Sequence, residues 1–520
     1  MRSVSEADRH APNAELAAET AASTSAADAK ATRFVTRPVA GSNTSPVRAD
    51  GPSKRFPLIQ WATSGRPSGV TFSSLAHRLG AGDRAIGQRV LRGWGMRRVR
   101  LVVGVALLGL VCNIAPVAAV SQRAALVKPT IALGRLHSCG VARAGTVVCW
   151  GNNAYGQLGN NSIVQSLVPV SVHGAGNVGV LSGVKSITAG NGFSCALLVA
   201  TTVDCWGYGG DGELGTSGYA RSLVPVQVHG VENVGHLRAV KSVTAGNGFA
   251  CALLLDGTVV CWGANASGEL GTNGTVRSAV PVRVHGVGNH GILRNVQAVS
   301  AGSGVTPCAA LADKTAVCWG ANTNGELGNN STAGSLVPVP VHGVGNHGVL
   351  GDVRAVSGSG TVSSCALTGT GKTYCWGYNG SVGINSTTGN SLTPVQVHGV
   401  SNVGFLSGVT AIVNQSLVPC ALGSGGAVDC WGGSGGALLG DGAYGPGVVP
   451  VQAHGVNNVG FLQNVTAISA GEQATCALLV NGAVECWGAN TNGELGNNST
   501  AAALTPTPVH GIGDLGDLAL

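Results

Sequence analysis

Between residues 130 and 512 the chain runs as short apolar segments broken by glycine-rich turns, a pattern of strands rather than of amphipathic helices. One stretch shows the unit. Val240-Lys241-Ser242-Val243-Thr244-Ala245-Gly246 predicts a strand that ends in small residues, and Cys251-Ala252-Leu253-Leu254 predicts a second. The chain turns at Leu255-Asp256-Gly257, and 258–263 predicts a third strand. After Gly268-Glu269-Leu270-Gly271, residues 280–286 predict a fourth, set at a sheet edge because Pro281 cannot donate to a ladder. A three-residue hairpin loop with glycine in the left-handed region pairs residue 254 with 258, which brings Cys251 opposite Cys261. Asn481-Gly482 and Ala144-Gly145 fill the same turn elsewhere, whereas Ala200-Thr201 lacks the glycine and predicts a looser turn.

The unit recurs. Seven times a cysteine is followed ten residues later by Cys-Trp-Gly. The pairs are Cys139 with Cys149, Cys195 with Cys205, Cys251 with Cys261, Cys308 with Cys318, Cys365 with Cys375, Cys420 with Cys430, and Cys476 with Cys486. The steps from Trp150 to Trp487 are 56, 56, 57, 57, 55 and 56 residues. A fixed period of this size marks a repeat in which each unit buries its apolar face against its neighbours. Four strands in each of seven units predict an all-β fold, a seven-bladed β-propeller with four antiparallel strands per blade. The small first strands suit the crowded axis and the proline strands suit the rim. The first unit opens at 131–134 with no proline strand before it, and a proline strand at 505–510 follows the last Trp-Gly. That arrangement predicts a ring closed by the C-terminal strand, 506–509 pairing beside Cys149-Trp150.

Composition adds a compartment. Glycine supplies 83 of 520 residues and charged residues only 10%, as suits a turn-rich β chain. The net charge of +7 is uneven: residues 1–100 hold 16 Lys/Arg against 7 Asp/Glu, and residues 101–520 hold 14 against 16. The repeats thus lack the basic stripe that phosphate contacts need, which argues against nucleic acid as a partner. Residues 1–95 read as a disordered basic leader. Met96-Arg97-Arg98-Val99-Arg100 and the apolar run after it make 96–120 a signal peptide, cleaved after Ala119, or an uncleaved membrane anchor through 101–120. Met96 also stands where translation of such a signal would start, so that 1–95 is either a true tail or an over-extended start. A linker at 121–129, the propeller at 130–512 and a tail at 513–520 complete the organisation. Both readings export the repeats, secreted or held outside the membrane, and in that compartment regularly paired cysteines form disulfides. Cys112 is left over.

The Trp-Gly-x-Asn-x-x-Gly-x-Leu-Gly stretch, preceded by Cys-Ala-Leu, resembles the repeat of the regulator of chromosome condensation family. Trp262-Gly263-Ala264-Asn265 through Gly268-Glu269-Leu270-Gly271 carries it, as do 319–328 and 487–496, and the resemblance covers about 130–512. It implies a seven-bladed propeller, here an exported bacterial member. The family's founder is a nuclear guanine-nucleotide exchange factor, and other members inhibit β-lactamases or sense light. The export signal, paired cysteines and neutral repeats of this chain depart from the founder. The repeats hold only the seven tryptophans of the motif, so the extra cluster that light sensing needs is missing.

Several candidate chemistries reduce to structure. His173, His229, His285, His342, His398, His454 and His510 each precede glycine after a proline strand. On an outer rim they stand too far apart to share a metal, and a repeated structural hydrogen bond is expected instead. Gly207-Tyr208-Gly209-Gly210-Asp211-Gly212 matches a dinucleotide fingerprint as a string, but a Glu-Leu-Gly turn follows it where a helix is required. Gly432-Gly433-Ser434-Gly435-Gly436 mimics a nucleophile elbow with the same defect. One tryptophan per unit reads as packing between blades. No Asp or Glu pair is set off from the repeat pattern, so no cofactor, no metal and no enzyme is expected. The loops do vary. Asn191-Gly192-Phe193 and Asn247-Gly248-Phe249 contrast with Gln415-Ser416-Leu417, and the following loops carry Tyr155, Tyr208, Tyr219, Tyr378 and Tyr444. Both loop sets emerge on one propeller face, so Phe193, Phe249, Tyr208, Tyr219, Tyr378 and Tyr444 are the candidate binding residues of a monomeric scaffold for a protein or cell-surface ligand. The alternative is an exchange-type regulator or enzyme inhibitor, as elsewhere in the family.

Overall fold

The computed structural model describes residues 127–520 apart from 129, 361, 415, 416 and 434–436. The leader, the 96–120 segment, most of the linker, Cys112 and part of the 432–436 string lie outside the described residues. Within them are seven antiparallel sheets, each of four consecutive strands. Blade 1 comprises Thr130–Leu133, His137–Val141, Val147–Gly151 and Ser166–Ser171. Blades 2 to 7 repeat this order with first strands at Val184–Ala189, Val240–Ala245, Val296–Ser300, Val353–Ser357, Val409–Asn414 and Val465–Ala470. The first strands of neighbouring blades touch one another, so they surround the axis, and the proline strands form the rim. No helix among the described residues is long and apolar enough to cross a membrane.

The second hairpin of each blade sets the cysteine geometry. Leu253 pairs with Val259 and Cys251 with Cys261, and Leu254 N–H donates to Thr258 O at 2.9 Å. The same register places Cys139 opposite Cys149, Cys195 opposite Cys205 and Cys308 opposite Cys318. It likewise places Cys365 opposite Cys375, Cys420 opposite Cys430 and Cys476 opposite Cys486. All seven pairs are joined as disulfides, with Cα atoms 4.0–4.1 Å apart. Seven such links belong to an oxidising compartment.

Blade 2 corrects one expectation: its turn is as tight as the others. Thr201 takes the left-handed position at φ +62 where Gly257 has +78, and its N–H reaches Leu198 O at 2.9 Å. The register of the sheet, held by Cys195–Cys205, prevails over the preference of a β-branched residue.

Two sets of hydrogen bonds repeat from blade to blade. The indole N–H of Trp206, Trp262, Trp319, Trp376 and Trp487 donates to a carbonyl of the preceding blade's loop at 2.7–2.9 Å. On the first strands, Thr188 Oγ1 accepts Ala245 N–H at 3.0 Å, Thr244 Oγ1 accepts Ala301 N–H at 3.2 Å and Ser300 Oγ accepts Gly358 N–H at 3.1 Å.

Closure differs from the expectation. The last strand, Ala503–Pro508, pairs with Val484–Gly488 of its own blade, and Val147–Gly151 pairs with Ser166–Ser171. Each blade is contiguous, so no strand is exchanged. Blade 7 meets blade 1 through bonds of the same two kinds: Trp150 Nε1 donates to Glu494 O at 2.8 Å, and Ser469 Oγ accepts Leu133 N–H at 3.1 Å. The C-terminal residues 512–520 form one more copy of the connector between blades. Leu518 and Leu520 pack with Ile131, Val148 and Trp150, sealing the junction by side chains.

Candidate functional site

The loops between first and second strands, and between third and fourth, lie at the same end of every blade. Two of the aromatic candidates are not exposed there. Phe193 and Phe249 are fully buried. Each begins a second strand, and its ring fills the space above Gly190 or Gly246, where an added Cβ would collide with it. The turn ends one residue earlier than the expectation required, which points these side chains into the sheet.

Tyr155, Tyr208, Tyr219 and Tyr444 remain on the loops. Tyr155 and Tyr208 meet edge to face with ring centroids 4.9 Å apart, Tyr155 being 45% exposed. Tyr219 lies beneath the Arg277 guanidinium at 4.5 Å. Tyr378, the last residue of the third strand of blade 5, and Tyr444, on the loop of blade 6, stand away from this group, and the Tyr378 hydroxyl donates to Thr387 O at 2.9 Å. The candidates therefore divide, and three tyrosines gather on blades 1 and 2.

Beside them is a cavity of about 430 Å³, lined by Arg135, Tyr155, Asn191, Tyr208, Asp211 and Glu213, with Asn247 and Gly248 of blade 3 closing it. Successive turns aim the carboxylates: Gly212 N–H reaches Gly209 O and Gly215 N–H reaches Gly212 O, both at 3.0 Å. Gly212 adopts φ +94 with an added Cβ only 2.6 Å from Ala279 Cα, so this turn admits no side chain. Asp211 pairs with Arg277 at 2.9 Å, and Arg135 pairs with Glu472 at 2.7 Å.

Glu213 breaks the repeat. In blades 4 and 7 the corresponding Glu326 and Glu494 bind their loops with both oxygens: Asn324 and Asn492 donate N–H to Oε2 at 2.8 Å and Nδ2–H to Oε1 at 2.9 and 2.7 Å. Blade 2 has Asp211 where those blades have asparagine. Its N–H still reaches Glu213 Oε2 at 2.9 Å, but the side-chain donor is gone, and the buried Oε1 has no partner. Burial pushes the Glu213 carboxyl up to about 7, and the Asp211 charge adds to the rise against nearby backbone N–H groups. The expectation that no acidic pair stands out is thus corrected. The signal was present as Asp211-Gly212-Glu213, where blades 4 and 7 have Asn-Gly-Glu and blade 3 has Ser-Gly-Glu.

Blade 1 carries a second irregularity, His137 at the repeat position of Phe193 and Phe249. Ser194 Oγ donates to Gln157 O at 3.1 Å, so its lone pair accepts His137 Nε2–H at 2.8 Å. His137 Nδ1 has no partner, and burial pushes the imidazole down to about 3, leaving it neutral. The rim histidines behave as expected: Nδ1 of His173, His229, His285, His342 and His398 bonds an asparagine four residues on at 2.6–2.7 Å. His454 pairs with Asn458 likewise, and His510 meets Asp514 at 2.5 Å.

Sequence comparison places these features in a family. The regulator of chromosome condensation (RCC1) repeat matches residues 144–197, 203–253 and 256–309 in one form, and 130–157, 240–269 and 465–494 in another. The chain is an RCC1-repeat propeller. It is 27% identical over 369 residues to the Ultraviolet-B receptor UVR8 of Arabidopsis thaliana, covering 70% of this chain and 78% of the receptor. It is 27% identical over 371 residues to human E3 ubiquitin-protein ligase HERC2, of whose length that match spans only 7%. Prp20p of Saccharomyces cerevisiae superposes with a TM-score of 0.56 at 18% identity, covering 72% of this chain and 86% of that one, a likeness of fold. The matched unit 144–197 runs from the hairpin of blade 1 into the second strand of blade 2, so the RCC1 repeat is out of phase with the blade.

Proposed function

We propose that this RCC1-repeat propeller is an exported, non-enzymatic scaffold that binds a protein or cell-surface ligand on its loop face, centred on the cavity between blades 1, 2 and 3. One observation carries the reading. The four-stranded sheets repeat seven times, and the loops depart from the repeat pattern where Tyr155, Tyr208, Asp211 and Glu213 line one opening. Repeat scaffolds keep the positions that stack and vary those that bind. The seven disulfides support an oxidising compartment, and the 96–120 segment supports export. Prp20p, a propeller of the same fold, is described with its binding to Gsp1p and histones, which supports a protein as the class of partner.

The test compares variants of the full chain, disulfides intact, in capturing a partner from native surface extract. Tyr155→Ala with Tyr208→Ala is expected to weaken the captured complex by about 2 kcal/mol or more, as for packed aromatic anchors. Arg283→Ala and Gln452→Ala, on outer strands, are expected to leave it unchanged. Loss of the complex in the outer-strand variants, with the tyrosine variant unaffected, would place binding elsewhere.

A further inference from the structure

Resting on that scaffold reading, we propose that the cavity between blades 1, 2 and 3 receives a basic side chain of the partner, its ammonium or guanidinium group seated between the Tyr155–Tyr208 pair and the Asp211–Glu213 carboxylates. The first support is the missing donor. Asn324 and Asn492 satisfy the carboxylates beside them, whereas Asp211 removes that donor and adds a charge. A buried oxygen left unpaired marks an unfavourable arrangement built into this blade, one that a cation in the cavity would offset through its field rather than by direct contact.

The second support is the distribution of charge. Arg135 is held by Glu472 and Arg277 by Asp211 Oδ1, which leaves Asp211 Oδ2 and Glu213 Oε1. Both face the bare backbone of Gly248: a Cβ there would lie 3.7 Å from Glu213 Oε1 and 4.0 Å from Asp211 Oδ2. Glu213 is fully buried. The cation would therefore touch Asp211 Oδ2 and the tyrosine rings, with the Glu213 carboxyl in the layer beneath. Aromatic faces and a carboxylate together favour a cation over a neutral group.

The third support is an arrangement the protein already contains. The Arg277 guanidinium lies over Tyr219 at 4.5 Å while bonding Asp211 Oδ1 at 2.9 Å and Gly210 O at 3.0 Å. The proposed group would use the same aspartate from its other oxygen, with Tyr155 and Tyr208 in the place of Tyr219. Arg221 makes the matching reach one blade earlier, to Ala154 O at 3.4 Å, where Tyr155 stands at the position of Asp211.

The experiment measures fluorescence anisotropy of a labelled lysine–glycine peptide with the full chain, against its fully Nε-acetylated form. Acetylation is expected to weaken binding about tenfold or more, and Asp211→Asn to do the same, each equivalent to one lost charge interaction of about 1.4 kcal/mol. Asp211→Asn is also expected to raise the melting temperature, because it restores the donor that blades 4 and 7 possess. Stability raised with peptide affinity unchanged would overturn the proposal, as would equal binding of the acetylated peptide. Equal binding by Tyr155→Ala would overturn the location. A captured partner that tolerates Asp211→Asn but not the tyrosine pair would refute the cation and leave the loop-face reading standing.

Discussion

His137→Phe tests whether a buried histidine makes this propeller sensitive to acid. The ring is fully enclosed, and its imidazole is pushed down to about 3 from the ordinary 6.5 by desolvation. Because the folded value is depressed, the unfolded chain binds the extra proton between these limits. Stability is therefore complete above about pH 6.5 and falls as the pH drops towards about 3. At pH 5 the loss amounts to about 2 kcal/mol, close to the limit of about 1.4 kcal/mol per pH unit. Glu213, pushed up to about 7, and Asp429, pushed up to about 6, act with the opposite sign. Their neutral forms favour the fold, so their contribution is present at low pH and is lost as the pH rises through those values. The parent profile therefore mixes opposing slopes, and only the difference between parent and variant isolates the histidine. Phenylalanine already fills this position in blades 2 and 3, and Ser194 keeps its bond to Gln157 O at 3.1 Å, so the variant is expected to fold. Urea unfolding with disulfides intact, at pH 7 and pH 5, should show a parent-to-variant gap that changes by about 2 kcal/mol. Parallel profiles would refute the reasoning.

Three further outcomes follow from the packing. Leu518→Ala and Leu520→Ala should each cost about 2–5 kcal/mol by opening the core between blades 7 and 1, read as a lower denaturation midpoint. Thr201→Gly should raise stability by about 1 kcal/mol, since glycine accepts the left-handed conformation that threonine resists, and calorimetry would detect it. Trp206→Phe removes an indole bond to Gln157 O at 2.9 Å, leaving that oxygen only its bond from Ser194 Oγ, whereas Trp431→Phe removes a buried N–H that has no partner to lose. The first variant should therefore be less stable than Trp431→Phe by about 1–3 kcal/mol in paired denaturation curves.

The fold was legible because the signals that fix it repeat. Spacing of ten between cysteines sets the hairpin register, and the Trp-Gly period sets the number of blades. Closure was not legible, because a first unit without a preceding proline strand and a proline strand after the last Trp-Gly look like complementary ends. The proline strand after Trp150, Ser166–Ser171, belongs to the same blade, and the seal is a pair of leucines with no strand signature. At the site, aromatic character was visible but direction was not: Phe193 and Tyr208 both adjoin glycine-rich loops, and the length of one turn makes Phe193 the first, inward-facing residue of a strand. Asp211-Gly212-Glu213 has the sequence of an ordinary Gly-Glu-Leu-Gly turn, and its meaning depends on the asparagine donors of blades 4 and 7. Only the hydrogen bonds reveal that pairing.

The central claim, that the loop face binds, is tested most directly by site-specific photo-crosslinking. A benzophenone amino acid placed in the full chain at Tyr155 or Tyr378 samples the loop face, and one at Val234 or Val459 samples the connectors at the opposite ends of the blades. The account predicts one discrete crosslinked partner, identified by mass spectrometry, from position 155 and none from 234 or 459. A partner captured from the connector positions while position 155 stays silent would contradict it.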